Sequence, residues 1–280
     1  IYCQLGTTTN KTLVRKEYAP VKQVLDEVRS VLKGNPQIDY LTFSGAGEPT
    51  LHKSIGYLIT EIKKTTEIPI AVLTNGSLLY LSEVRCDLLN ADVVIPTLCT
   101  ANKEVFQKIH RTHAGLDLSK MIAGYVDFRK IYKGSIWLEI MLIKGINDEP
   151  TLIEEMKRVI NRINPDKIHL NTVVRPPSEE YAHPVTQETL QNIKGILGDK
   201  CEIIVDFSPK AILAQHKDHL NEIAALIARR PVTIDDLVKI SGLHKNEILK
   251  YIQVLLKQSK IEMTRHDQKQ YYRIPRGSHD

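Results

Sequence analysis

The chain has 280 residues, of which 42% are hydrophobic and 25% charged, as in an ordinary soluble globular protein. Its apolar runs are too short to span a bilayer and it shows no signal-peptide pattern, so we expect neither membrane insertion nor secretion. The net charge of +5 permits a nucleic-acid partner without implying one. The four cysteines, at positions 3, 86, 99 and 201, have the spacing of neither a disulfide framework nor a complete zinc site. We therefore expect a reducing, cytoplasmic compartment.

Six short apolar runs, rich in Val, Ile and Leu, alternate with amphipathic helical segments in the first two-thirds of the chain. The predicted strands are residues 40–44, 68–74, 92–98, 136–143, 167–173 and 201–207. The predicted helices are residues 20–33, 53–64, 79–89, 103–110, 117–131, 149–163 and 186–197. This alternation predicts parallel strands joined by right-handed crossovers, and the continuous apolar runs predict burial of both strand faces. It is typical of a full or partial barrel or a doubly wound sheet, with function on the loops after the carboxyl ends of the strands.

The last quarter of the chain has a different pattern. Three helical segments are predicted at residues 213–229, 234–241 and 245–258, followed by two short strands at 260–264 and 270–274. This order is that of a winged helix-turn-helix domain. We therefore predict two domains, a barrel-like domain of residues 1–208 and a winged-helix domain of residues 215–276. The lysines and arginines of the last helix and hairpin suit RNA or DNA contact, and docking of a protein or peptide is the alternative.

The strongest motif follows the first predicted strand and reads Ser44-Gly45-Ala46-Gly47-Glu48-Pro49. Its small residues let a ligand approach the backbone closely. Glu48 places a carboxylate at the strand end, where it suits an ammonium group. The alternative is a tight strand-to-helix turn whose acid caps the helix.

Two segments, Tyr2-Cys3-Gln4-Leu5-Gly6 and Gly45-Ala46-Gly47-Glu48-Pro49, resemble motifs of the radical S-adenosylmethionine (SAM) superfamily. That superfamily carries a three-cysteine loop, C-x3-C-x-aromatic-C, near its first strand, and a Gly-Gly-Glu-Pro motif at its second. The resemblance continues through residues 73–76, 94–98, 141–148 and 170–177, at successive strand ends, and covers about residues 1–205. The branch it resembles most is that of iron–sulfur oxidoreductases similar to wyosine-base-forming enzymes. Only the third cysteine of the loop, Cys3, is present in this sequence.

The resemblance implies a partial (βα)6 TIM-like barrel that binds a 4Fe-4S cluster through Cys3 and cleaves SAM reductively to a 5′-deoxyadenosyl radical. Electrons would come from a reductant such as ferredoxin or flavodoxin, and the substrate would be an unidentified tRNA base, peptide or metabolite. The remaining cluster cysteines would precede Ile1. The residues implied for SAM and its pocket are Tyr2, Ser44, Gly45, Ala46, Gly47, Glu48, Thr74, Asn75, Thr97, Asn171 and Val173. Those implied for catalysis or substrate binding are Glu139, Lys144 and Arg175.

Other interpretations stay open at several positions. A structural ion pair with a lysine or arginine is the alternative for Glu139, and a pair with an acid is the alternative for Arg175. His110 and His113 have a spacing that suits a metal, but without a third ligand a polar loop near the barrel mouth is favoured. Two other functions remain for the protein: a radical SAM activase acting on a partner protein, and a winged-helix regulator that senses a metabolite and binds nucleic acid.

Overall fold

The computed structural model describes residues 1–3, 11–34, 38–45, 47–174, 177–205, 219–228, 230–241, 243, 245–266 and 269–275. The chain divides into two units, residues 1–205 and residues 206–280. The first is a mixed α/β structure built on one parallel sheet, as the strand–helix alternation predicts. Among the described helices, none combines the length and the apolar character needed to cross a bilayer.

Six parallel strands form the sheet of the first unit, and each pairs with the next one along the chain. The strands are β1 (Leu41–Phe43), β2 (Ile70–Thr74), β3 (Val93–Pro96), β4 (Ser135–Leu142), β5 (Lys167–Thr172) and β6 (Cys201–Ile203). All six predicted strands are therefore present, and β1 and β6 are the edge strands of the described sheet. The sequential order follows because each crossover returns the chain to the neighbouring position in the same sense.

Seven helices accompany the sheet in the described part of this unit. They are α1 (Val21–Leu32), α2 (Ile55–Lys63), α3 (Ser82–Asp87), α4 (Lys103–His110), α5 (Leu118–Ile131), α6 (Pro150–Ile163) and α7 (Gln187–Leu197). Side chains of Asn102, Asp117 and Thr186 cap the amino ends of α4, α5 and α7. Helix α3 is shorter than the predicted range 79–89, because the amides of Leu79 and Leu81 bond three residues back in turns instead.

The two faces of β4 differ in burial, although its sequence predicts burial of both. Ile136, Leu138, Ile140 and Leu142 are buried, whereas the residues between them are half-buried. Strand β5 alternates in the same way. The alternation in β4 cannot be predicted from the sequence, because Trp137 and Met141 on the more open face are also apolar. The open face carries the polar side chains of the candidate site.

The second unit contains three helices and a hairpin in its described part. Residues 219–228 form α8, followed by α9 (Ile234–Ser241), α10 (Lys245–Lys257) and the antiparallel pair β7 (Glu262–His266) and β8 (Lys269–Arg273). A bridge between Val232 and Tyr272 adds a third short segment to the hairpin. The core includes Ile223, Leu237, Ile252 and Leu255, all fully buried. The winged-helix class of this unit stays a prediction, and the predicted boundary between residues 208 and 215 lies outside the described residues.

Two helical glycines give a test of packing in the first unit. A Cβ on Gly124 of α5 would fall 2.4 Å from the backbone nitrogen of Tyr80 and 2.5 Å from the carbonyl carbon of Leu79, whereas one on Gly195 of α7 would meet nothing within 4 Å. We expect Gly124→Ala to lower the free energy of unfolding by about 1–3 kcal/mol through overpacking. Gly195→Ala should raise it by about 0.5–1 kcal/mol because alanine favours the helix. Urea unfolding of both variants measures these changes, and a stabilised Gly124→Ala protein would contradict the described approach of α5 to this loop.

Candidate active site

The polar residues predicted from the sequence lie where the parallel strands end. Side chains that follow neighbouring parallel strands lie close together, because the carboxyl ends of the strands meet at one edge of the sheet. Glu48 follows β1, Thr74 ends β2 and Thr97 follows β3. A parallel bridge between Thr97 and Glu139 extends the pairing of β3 with β4, and Asn171 lies near the end of β5. The fold thus brings residues from five strands to one edge.

Glu48 is held by four hydrogen-bond donors. Its Oε1 atom accepts from the backbone N–H of Thr50 at 3.0 Å and from the hydroxyls of Thr50 and Thr74, each at 2.5 Å. Its Oε2 atom accepts the N–H of Asn75 at 2.7 Å, and no other donor in the described part of the chain. Because each carboxylate oxygen has about two lone pairs, Oε1 is saturated while Oε2 can take one more donor. The carboxylate joins the ends of β1 and β2 and keeps one free direction for a ligand.

The capping alternative for Glu48 is correct in one respect. Glu48 is the N-cap of the short 3₁₀ turn Pro49–Leu51, through its bond to the Thr50 N–H. The bonds from Thr74 and Asn75 come from a different strand end and are not needed for a cap. They fix the orientation of the carboxylate relative to the sheet edge.

The glycines before Glu48 leave space that the described residues do not fill. A Cβ on Gly47 would meet no atom of the described residues within 4 Å, and one on Gly45 would meet none of them closer than 3.8 Å. Neither glycine has a positive φ, so backbone strain does not require glycine there either. This space fits a ligand that lies against the backbone beside the carboxylate. Ser44 is exposed in the same turn, and Ala46 lies outside the described residues.

Glu139 forms a second carboxylate centre on the open face of β4. Its Oε2 accepts the hydroxyl of Thr97 at 2.9 Å, and its Oε1 accepts the amide of Asn171 at 3.0 Å. Among the residues that the structure describes, no lysine or arginine forms an ion pair with Glu139. The described residues therefore do not support the alternative that Glu139 is one half of a structural ion pair. Each oxygen has one described donor and keeps acceptor capacity toward the open face.

Two predicted site residues do not join these two centres, and a third lies outside the described residues. Lys144 lies beyond the end of β4 with an exposed side chain that forms no described bond to Glu139. Val173, predicted to contact the adenine or ribose, is 7% exposed and packs with Cys99 in an apolar cluster. Arg175 lies outside the described residues.

Tyr125 supports the site from α5 and was not identified from the sequence. Its hydroxyl donates to the backbone carbonyl of Thr97 at 2.9 Å and approaches that of Asn75 at 3.4 Å. A side chain at Gly76, whose φ is +69°, would overlap this hydroxyl. Burial raises the pKa of Tyr125 well above its ordinary value, which keeps the hydroxyl protonated as a donor. The Asn75-Gly76 turn is visible in the sequence, but the apolar spacing of α5 does not distinguish this tyrosine.

Asn147 explains part of the segment 141–148. Its side-chain amide donates to the carbonyls of Cys99 at 2.8 Å and Met141 at 2.9 Å, and its Oδ1 accepts the N–H of Ile143 at 2.7 Å. This buried side chain replaces the missing backbone partners where β3 and β4 end. Its contribution is to hold the strand ends together, a role for which the sequence made no prediction.

The two residues before Cys3 are anchored to the rest of the unit. The carbonyl of Ile1 accepts the N–H of Glu179 at 3.1 Å, and the Tyr2 ring packs edge-on against His110 with centroids 5.9 Å apart. The thiol of Cys3 is exposed. The anchored backbone and exposed thiol fit a residue that ligates an iron atom outside the protein core.

The other cysteines do not resemble cluster ligands. Burial raises the pKa of Cys99 to about 12 and that of Cys201 to about 11, so neither is a thiolate at neutral pH. Cys86 is exposed on α3, outside the cysteine-loop motif. The described residues contain no group of three histidines, cysteines or carboxylates that could hold a metal ion. Among the described cysteines, Cys3 is therefore the candidate cluster ligand.

His110 predicts a pH dependence of stability. Its Nε2 atom is buried without a described partner, and burial lowers the pKa of His110 to about 4 from 6.5. As the pH falls from about 6.5 toward 4, the unfolded chain binds a proton that the folded protein does not, so stability decreases. We expect about 2–3 kcal/mol to be lost between pH 7.5 and pH 4.5 through this group.

The variant His110→Phe tests this expectation, with His113→Phe, at an exposed position, as its control. Urea unfolding at both pH values should show a smaller loss of stability for His110→Phe than for the parent or the control. Equal losses in all three proteins would show that His110 is not the group responsible.

Comparison with known proteins agrees with this arrangement. Residues 1–159 match the family model of the radical SAM superfamily. A protein of Brachyspira hyodysenteriae named GTPase Obg is 39% identical over 237 residues, which are 84% of this chain and 35% of that protein. A UPF0026 protein of Methanocaldococcus jannaschii is 35% identical over 201 residues, 71% of this chain and 62% of that protein. The chain thus spans less than two thirds of either relative.

A solved structure shares the fold. It is a radical SAM methyltransferase from Sphaerobacter thermophilus, with a TM-score of 0.53 and 18% identity, covering 65% of this chain and 55% of the other. At this identity the likeness concerns the fold alone, and it agrees with a partial TIM-like barrel core. Because the family model covers more than half of the chain and the sheet has the corresponding architecture, the protein belongs to the radical SAM superfamily.

Proposed function

We propose that this protein is a radical SAM enzyme in which Cys3, with two cysteines that precede Ile1, holds a 4Fe-4S cluster. It would act in the cytoplasm, with a reductant such as ferredoxin or flavodoxin, on a tRNA base, a peptide or a small metabolite. The observation that carries the proposal is the carboxylate of Glu48, fixed by four donors and still able to accept one more through Oε2. Such a carboxylate beside an unfilled glycine turn suits the ammonium group of SAM.

The Glu48 turn binds the methionyl end of SAM in this proposal. Oε2 of Glu48 accepts a hydrogen bond from the ammonium group. The space beside Gly45 and Gly47 lets the ligand lie close to the backbone. Thr74 and Asn75 hold the carboxylate in place. Because the carboxylate is already oriented before the ligand binds, binding carries no free-energy cost for ordering this side chain.

The Glu139 centre binds the nucleoside end. Glu139 has acceptor capacity toward the open face, where hydroxyl groups of a ribose are suitable donors. Thr97 and Asn171 orient its two oxygens. Tyr2 would present its backbone to the adenine, and Lys144 and Arg175 would contact the substrate. A cluster held through Cys3 would supply the electron for reductive cleavage of SAM, while the residues of this chain would bind and orient SAM and the substrate.

The second unit is proposed to be a winged-helix docking domain. Its helix order and hairpin support this, together with the bridge between Val232 and Tyr272. Two of its basic residues are already paired: Lys245 lies 3.1 Å from Asp235, and Arg273 lies 2.7 Å from Glu262. Pairing reduces the charge available for phosphates, which favours docking of a protein over docking of RNA.

The first experiment uses the full-length protein with its residues before Ile1, reconstituted with iron and sulfide without oxygen. We expect about four irons per chain and reductant-dependent formation of 5′-deoxyadenosine, as a site-differentiated 4Fe-4S cluster requires. Cys3→Ala should lose both, whereas Cys86→Ala, at an exposed cysteine on α3 outside the loop motif, should keep both. A protein that binds no cluster and cleaves no SAM would overturn the proposal.

Glu48→Gln tests the ammonium site separately from the cluster. The amide keeps the shape of the side chain but loses the charge, so SAM affinity should fall about tenfold or more while iron content is unchanged. Equilibrium dialysis of SAM against reconstituted protein measures this. Glu154→Gln, at an exposed position of α6, is the matched control and should bind SAM normally. Unchanged affinity in Glu48→Gln would remove Glu48 from the site.

A further inference from the structure

The segment that enters α1 is fastened to the turn that carries Glu48. Its backbone forms a parallel bridge, in which the N–H of Lys16 donates to the carbonyl of Leu51 and the N–H of Lys53 donates to the carbonyl of Lys16, both at 3.1 Å. The His52 ring adds a bond from Nε2 to the carbonyl of Ala19 at 2.9 Å. The chain that follows the Cys3 loop is thus attached directly to the Glu48 turn.

Arg15 is the main side-chain attachment between these two segments. Its side chain is 11% exposed, and its Nε donates to the backbone carbonyl of Thr50 at 2.9 Å. Nη1 bonds Glu83 at 3.0 Å, while Nη2 bonds Asp87 at 2.5 Å and approaches the carbonyl of His52 at 3.5 Å. A nearly buried guanidinium with this many partners has one available orientation, because its donors lie in a rigid plane.

The two carboxylates that bond Arg15 come from one helix. Glu83 and Asp87 lie one turn apart on α3. Glu83 is largely exposed, whereas Asp87 packs against Gly56 of α2, where a Cβ would fall 2.6 Å from its Oδ1 atom. Helix α3 therefore presents two acids to one arginine, and the contact with α2 holds Asp87 in place.

The connection from Arg15 to the carboxylate passes through Thr50. The carbonyl of Thr50 accepts Arg15, while its N–H and hydroxyl both donate to Oε1 of Glu48. Thr50 is fully buried, so it has little freedom to adjust if one of these bonds is lost. The orientation of Glu48 consequently depends on a residue that lies behind the turn and outside the pocket.

We propose that Arg15 is a positioning residue for SAM: it holds Thr50 so that Oε2 of Glu48 faces the ligand ammonium. This inference rests on the proposed function of Glu48. It assigns a role in SAM affinity to an arginine with no direct ligand contact, and it makes α3 part of the support of the binding site.

Arg15→Lys is the decisive substitution, because it keeps the positive charge between Glu83 and Asp87 and so preserves the fold. A single ammonium lacks the planar fork that serves both acids and the Thr50 carbonyl at once. We expect SAM affinity to fall about five- to tenfold in the reconstituted full-length protein, with unchanged iron content and unchanged turnover at saturating SAM. Arg29→Lys, in an exposed ion pair with Asp26 on α1, is the matched control and should leave SAM affinity unchanged.

A second readout does not depend on SAM. Hydrogen exchange of the cluster-free protein should show faster exchange of the Thr50 and Asn75 amides in Arg15→Lys than in Arg29→Lys, since both amides donate to Glu48. If the proposed function is wrong, the parent protein will bind no SAM, but the exchange difference between Arg15→Lys and Arg29→Lys will remain. An Arg15→Lys protein with parental SAM affinity, or with exchange equal to that of the control, would overturn the positioning role. So would a loss of affinity that accompanies a lowered midpoint of thermal unfolding.

Discussion

The saturated oxygen of Glu48 is the constraint on which the site depends. Three donors converge on Oε1, two from Thr50 and one from Thr74, and together they leave the carboxylate one orientation. The donors belong to a turn after β1 and to the end of β2, so the carboxylate also fixes how these two strand ends meet. Glu48 is half-buried, and the donors that orient its carboxylate also replace water that burial removes. The orientation of the carboxylate and the local stability therefore arise from the same bonds.

The sheet and most helices follow from the sequence because their signals are local. Runs such as Ile70–Thr74 and the alternation of strands with amphipathic helices predict six parallel strands, and six are present. The sequence did not predict the open face of β4. Trp137 and Met141 lie on that face but are apolar, so the alternating burial of the strand reads in the sequence as a continuous apolar run. Helix α3 was predicted too long for a related reason. The leucines at 79 and 81 fit a helical stripe, but they lie in turns after Gly76.

The candidate site was predictable only in part. Glu48 and Glu139 stand out because a carboxylate at a strand end, or within a strand, needs partners, and both have them. Their partners were less visible. Tyr125 reaches the strand ends from a helix 50 residues beyond Asn75, and Arg15 reaches Asp87 across 72 positions. Such contacts depend on how helices pack onto the sheet, which local patterns do not encode. Val173 shows the converse, since its place after β5 suggested the pocket, whereas its side chain is buried in an apolar cluster with Cys99.

The edge strands of the sheet are its shortest, since β1 and β6 each have three residues. A short edge offers few unpaired backbone groups, so another extended chain gains little by adding to it. A longer edge would let a second molecule pair there and cover the open face. The brevity of these two strands thus limits edge-to-edge association at the edges of the described sheet.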